Sequence, residues 1–188
     1  MTTNEDMNRQ QKIILLSIII ALAAISRLVP HPFNFTPIGA IGLFGAAYFK
    51  PKWLAFLVPF IALWLSDIII MNGPMAAFYE GFQWMGHMPV YLAFLLIIGL
   101  GFILRGRVNI KSVLGTSLTA SVIFFLVTNF GVWLGSTVYP ANMAGLIACY
   151  AAGIPFFWST VAGDLFYCGL MFGSYAWFTQ YYAQKQTA

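Results

Sequence analysis

Between residues 53 and 71 the chain carries a single ionisable side chain, Asp67, in an otherwise apolar run. A run of about 20 apolar residues matches the roughly 30 Å hydrocarbon core of a bilayer when wound as a helix. Similar runs recur along the chain, and their recurrence restricts the fold more than any other feature. Only 7% of the 188 residues are charged and 61% are apolar. Soluble domains carry about 25% charged residues, so a water-exposed surface is not available to this chain, whereas lipid solvates apolar side chains directly.

The apolar runs predict an all-α integral membrane protein with six transmembrane helices at about 12–29, 35–49, 53–71, 89–104, 112–134 and 156–178. They make one transmembrane domain over residues 1–188, with the polar segment 1–11 outside the first helix. The run 143–153 is too short to span. Pro155 is expected to end it, making a half-helix that lies on or dips into the outer face before the last span.

The basic residues set the orientation. Arg9, Lys12, Lys50, Lys52, Arg105, Arg107, Lys111 and Lys185 all fall at one end of a six-span arrangement. The positive-inside rule makes that end cytoplasmic, with both termini inside. Arg27 is the exception, near the outer end of its span. The net charge of +4 is therefore topological, and no continuous basic face points to nucleic acid. These features place a multi-pass protein in a cytoplasmic (inner) membrane. Ala21-Leu22-Ala23 resembles a signal-peptide cleavage site, but Glu5 and Asp6 precede the run where signal n-regions are basic, so the first run is expected to remain.

Ionisable groups inside a bilayer cost about 2.5–3.5 kcal/mol each on insertion scales, so each needs a reason. Arg27, Asp67, Asp164 and the amide Asn129 all fall in the expected outer halves of their spans. Arg27 and Asp67 are at matching depth and are expected to form a structural ion pair. Asp164 stands on a stripe with Thr160, Cys168, Met171 and Tyr175 at helical spacing. The outer loops mix aromatic and amide side chains, and the loop 72–88 is long enough to cover a pocket. A small-molecule site is expected below that loop, ringed by Asn34, Asp67, Trp84, Asn129 and Asp164. The cytoplasmic connections are short and basic and offer nothing suited to a pocket.

Other features have plainer readings. Cys149 and Cys168 are read as small buried hydrophobes. His31, Met85, His87 and Met88 show no metal-site spacing, so no metal or other cofactor is expected. Gly169 and Gly173, in a GxxxG, are read as internal helix packing. No nucleotide-binding P-loop or hydrolase motif is present, so no catalytic residue is assigned and any ATPase is another chain.

The stretches RLVPHPFNFTPIGAIGLFGAAYF (27–49), LWLSD (63–67), FFLVTNFGVWL (124–134), YPANMAGLIACYAAGIPFF (139–157) and GDLFYCGLMFG (163–173) carry a resemblance. They look like an uncharacterised bacterial family assigned to transport. That family is distantly similar to the substrate-binding S components of energy-coupling factor (ECF) vitamin transporters. The resemblance implies a six-helix bundle that captures a vitamin-like compound near the outer face, beside a membrane coupling subunit with separate ATPases. Where S components carry Ala-x-x-x-Ala on the first helix, this chain carries Ser17-Ile-Ile-Ile-Ala21, and it has no cysteine before Cys149 to match the ligand of the cobalamin type. Two other functions fit the same residues: an ion- or proton-coupled carrier titrating Asp67 and Asp164, and a membrane enzyme or accessory subunit.

Overall fold

The computed structural model describes residues 7–185. The described residues fold into six α-helices: α1 (Arg9–Ser26), α2 (Ile38–Tyr48), α3 (Lys52–Asn72), α4 (Met88–Gly101), α5 (Ile110–Gly135) and α6 (Met143–Lys185). Two 3-10 turns, Ala76–Phe78 and Phe102–Leu104, complete the helical content, and no strand occurs among the described residues. Helices α1, α3, α5 and α6 are long and apolar enough to cross a membrane. The other two apolar helices, Ile38–Tyr48 and Met88–Leu104, are shorter.

Helix α2 is the centre of the bundle. Every residue from Ile38 to Ala46 is buried. It packs against each of the other five helices. Its glycines and alanines permit this crowding: a Cβ at Gly42 would press on Phe94, Ile97 and Ile98, and one at Gly45 would overlap the Pro59 ring. Small residues let helix backbones approach closely where no hydrophobic effect drives association. Around this rod the aromatic rings of Phe44, Tyr48, Phe172 and Tyr175 interlock, with centroids 4.2–5.9 Å apart.

Several expected boundaries move. Helix α1 begins at Arg9, inside the segment expected to be non-helical. Asn8 caps it, its side chain accepting from the Gln11 backbone while the Gln11 side chain accepts from the Asn8 backbone. That reciprocal pair satisfies two of the orphan donors at a helix start. The polar residues 1–6 ahead of it lie outside the described ones.

The larger correction concerns Pro155. The run 143–153 is not a separate half-helix: α6 continues through Pro155 for 43 residues, about 65 Å at 1.5 Å per residue. An internal proline removes one backbone hydrogen bond, and neighbouring helices make that tolerable in membrane helices. Pro59 sits inside α3 in the same way. The short helix lies elsewhere in the fold. The run expected to span at 35–49 is helical only over the 11 residues of α2, about 17 Å, and the segment ahead of it is irregular.

The GxxxG of α6 is also placed differently. Gly169 and Gly173 meet nothing within 4 Å of a built Cβ. Both line an apolar groove between the start of α5 and α6, so this motif is not internal packing. Val113, Thr116, Ser117, Ala120 and Ser121 form the buried stripe of α5 at helical spacing.

Candidate functional site

Arg27 closes α1, and its guanidinium crosses to α3. Nη2 lies 2.6 Å from Asp67 Oδ1, and Nη1 donates to the Ser66 hydroxyl and to the Leu63 carbonyl. Asp67 Oδ2 accepts from the Tyr91 hydroxyl of α4 at 2.8 Å. The ion pair is about nine-tenths buried on both sides. The loop between α3 and α4 seals it: a Cβ at Gly86 would come within 2.6 Å of Asp67 Oδ2, so only glycine lets the backbone lie there. Asn72 holds that loop by exchanging hydrogen bonds with the Gln83 backbone, and Trp64 Nε1 donates to the Trp84 carbonyl. Apart from Arg27 Nε, which is buried without a partner, the cluster is satisfied internally. It fastens α1, α3 and α4 together.

Asp164 makes a second closed cluster. Its carboxylate accepts from the Ser121 hydroxyl at 2.6 Å and from the backbone N–H groups of Gly39 and Ala40. Those N–H groups are orphan donors of the first turn of α2, whose own flanking residue, Pro37, supplies no side-chain cap. An acid therefore sits on the positive end of the α2 dipole. The other end is matched by Arg105, which donates to the carbonyls of Ala46, Phe49 and Lys50 at 2.9, 2.7 and 3.2 Å. The short central helix is thus terminated at both ends by charges from other parts of the chain. Ser121 stands near the middle of α5, so Asp164 lies deeper than the outer half expected for it.

A cavity of about 390 Å³ opens between α4, α5, α6 and the segment after α1. Asn34, Thr128, Asn129 and Thr160 contribute its polar atoms, with Phe33, Phe125, Phe156 and Phe157 among its aromatic walls. Thr128 and Thr160 return their hydroxyls to carbonyls on their own helices. The Asn129 amide nitrogen donates to the Phe125 carbonyl at 2.8 Å, while its oxygen lies against Gly153, where a Cβ would overlap it. Asn34 adopts a left-handed backbone with φ of 61°, a conformation that asparagine tolerates better than most residues.

The ring expected around one site is therefore divided. Asn34 and Asn129 share the cavity. Asp67 belongs to the Arg27 cluster, and Asp164 stands one turn along α6 from the cavity residue Thr160. Trp84 is 70% exposed, its ring against Phe82, and does not reach the cavity. The long loop covers Asp67, and the cavity lies beside Phe33 and Asn34 instead. The basic end also differs from expectation, since it holds a cavity of about 540 Å³ lined by Arg9, Lys12, Lys50 and Arg105.

Sequence reasoning missed Tyr91, Gly86, Ser121 and Arg105. The serines on the inward stripe of α5 were a usable signal for Ser121. Nothing local marks Arg105, whose partners lie 55–59 residues away. Among the described residues no group of three or more His, Cys, Asp or Glu is arranged to hold a metal ion. Both cysteines are free and buried.

Four long apolar helices enclosing two internally satisfied carboxylates define a helical protein of membrane type. The chain belongs to the DUF6580 family, a family of unknown function whose model matches residues 7–186. No curated protein and no solved structure matches it.

Proposed function

We propose that this chain is a six-span transport protein of a bacterial inner membrane that captures a small molecule in the cavity between Asn34 and Asn129. One observation carries the reading: a cavity of about 390 Å³ with aromatic walls and amide groups lies at the opposite end of α5 and α6 from the basic residues. Small-molecule sites occupy roughly 300–1,000 Å³ and combine apolar walls with a few placed polar groups. With the basic end cytoplasmic, the cavity faces outward. The second crossing consists of α2 and the irregular segment before it, which is admissible at membrane depth because that backbone is enclosed by protein. In this reading the resemblance to vitamin-capturing S components extends to the site. A membrane coupling subunit with its own ATPases would seat on the apolar groove between α1 and α3, which Ser17 and Ala21 help to line.

The alternative of an ion-coupled carrier draws on one feature. Asp164 faces the start of the short helix α2, where an irregular segment adjoins it, and membrane carriers build substrate and ion sites at such helix discontinuities.

Native mass spectrometry of the purified protein tests the capture reading. A retained small molecule is expected, with affinity reduced by up to about tenfold in Asn129→Ala, the loss of one hydrogen bond. Gly153→Ala, which pushes a methyl group against Asn129, is expected to reduce it as well. Trp84→Ala and Lys111→Ala should bind as the parent does. Equal binding by Asn129→Ala, Gly153→Ala and the parent would remove the cavity from consideration.

Topology has its own test. A membrane-impermeant maleimide applied to intact cells is expected to label Glu80→Cys and to spare Val108→Cys. Labelling of position 108 from outside would reverse the orientation and with it the outward-facing site.

A further inference from the structure

The cavity at the basic end has a chemistry that the positive-inside rule does not account for. That rule needs cations near the cytoplasmic ends of helices, but it does not need them to converge. Here Arg9 and Lys12 of α1, Lys50 after α2 and Arg105 after α4 line one space of about 540 Å³. Arg105 is largely committed to the carbonyls at the end of α2. Arg9, Lys12 and Lys50 are not committed: none makes an ion pair or a side-chain hydrogen bond to a described residue.

The acids among the described residues are elsewhere. Asp67 is held by Arg27, Asp164 is held at the far end of α2, and Glu80 is in the loop sealing Asp67. Glu5 and Asp6 precede the cavity residue Met7 in sequence and lie outside the described residues. Tyr48 and Tyr175 form one wall, their rings 4.2 Å apart, and neither hydroxyl bonds a described residue. Ile13 and Leu16 give the same cavity an apolar side.

Three uncommitted cations, two free phenol donors and an adjoining apolar wall fit a phosphate ester. Cations close around phosphate through charge-assisted hydrogen bonds, roughly twice as strong as neutral ones. A basic pocket between helices at the cytoplasmic face is also where anionic lipid headgroups are drawn. We propose that this cavity binds a phosphate group, carried either by an anionic phospholipid or by a soluble phosphate. The site is independent of the capture cavity at the other end.

The test uses the full chain in two arms. In the first, native mass spectrometry counts dioleoyl phosphatidylglycerol retained against a dioleoyl phosphatidylcholine reference. In the second, equilibrium dialysis measures radiolabelled inorganic phosphate bound to protein in phosphatidylcholine nanodiscs. Retention in either arm supports the site and identifies the source. The combined Arg9→Gln, Lys12→Gln and Lys50→Gln variant is expected to weaken it by about tenfold or more. Lys12→Arg with Lys50→Arg should preserve it, and Lys111→Gln, at the same end but outside the cavity, should leave it unchanged. If the combined variant fails to fold, Lys12→Gln and Lys50→Gln are read singly and each should weaken retention. No preference for either probe in the parent overturns the proposal. So does an equal loss in Lys111→Gln, which would mean diffuse surface charge rather than a built site.

Discussion

Replacing Arg27 with methionine lowers the stability of the folded chain by about 3–5 kcal/mol, the range measured when one member of a buried ion pair is removed. The reason is what remains. Asp67 keeps the Tyr91 hydroxyl but loses its guanidinium, in a place that the Gly86 backbone closes to water. Ser66 and the Leu63 carbonyl lose a donor as well. Substituting both members, Arg27→Met with Asp67→Leu, should cost less than Arg27→Met alone, because no charge is then stranded. Unfolding of the detergent-solubilised variants, followed by tryptophan fluorescence, completes a double-mutant cycle. Coupling below about 0.5 kcal/mol, the ordinary additivity error, would show that the two side chains do not act as a unit. The cavity beside Asn34 and Asn129 contains neither residue, so under the proposed capture function small-molecule retention by whatever fraction remains folded should be unaffected.

The ion pair was legible in the sequence because its logic is local to each span. A charge in an apolar run must be compensated, and two opposite charges at matching depth are the least costly compensation. The inward stripe of α6 was legible for a similar reason. Thr160, Asp164, Cys168 and Met171 recur at helical spacing, and all four are buried. What the sequence could not display was the partner of Asp164. Its donors belong to the backbone of α2, and a backbone N–H carries no residue identity to read.

Pro155 misled for a different reason. Proline ends most helices because it lacks an N–H and its ring crowds the carbonyl four residues back, whereas in packed membrane helices neighbouring helices and local backbone adjustment satisfy the freed carbonyl. The same residue type at 59 fits inside α3 because Gly45 makes room for its ring. The single ring of site residues failed on depth counting. Placing Asp164 by residues from the end of a span assumed a helix starting near residue 156, and the true helix starts at Met143.

Asp164→Ala is expected to have an effect as large as the loss of Arg27, and for a reason that separates structure from transport. Helix α2 is short, buried from Ile38 to Ala46, and has no side-chain cap of its own. Water cannot reach its first turn, so the N–H groups of Gly39 and Ala40 depend on the Asp164 carboxylate. Truncation leaves those two donors unsatisfied in an apolar interior, at about 1–3 kcal/mol for each, and removes the negative charge facing the helix dipole, while the Ser121 hydroxyl can still donate to the Ser117 carbonyl at 3.1 Å. A total on the order of 3–5 kcal/mol or more follows if part of the loss is recovered by relaxation. Ser121→Ala removes only one donor from a carboxylate that still holds two, and should cost about 1 kcal/mol. Gly39→Ala should resemble Asp164→Ala, since its Cβ would occupy the position of the carboxylate. Paired measurement of unfolding and of small-molecule retention distinguishes the roles. As the cap of α2, Asp164 governs stability, and Gly39→Ala reproduces its loss without altering any titratable group. As a ligand or ion site alone, Asp164→Ala would abolish retention while the unfolding transition stayed at the parental value, and the assignment of Asp164 to α2 would then fail.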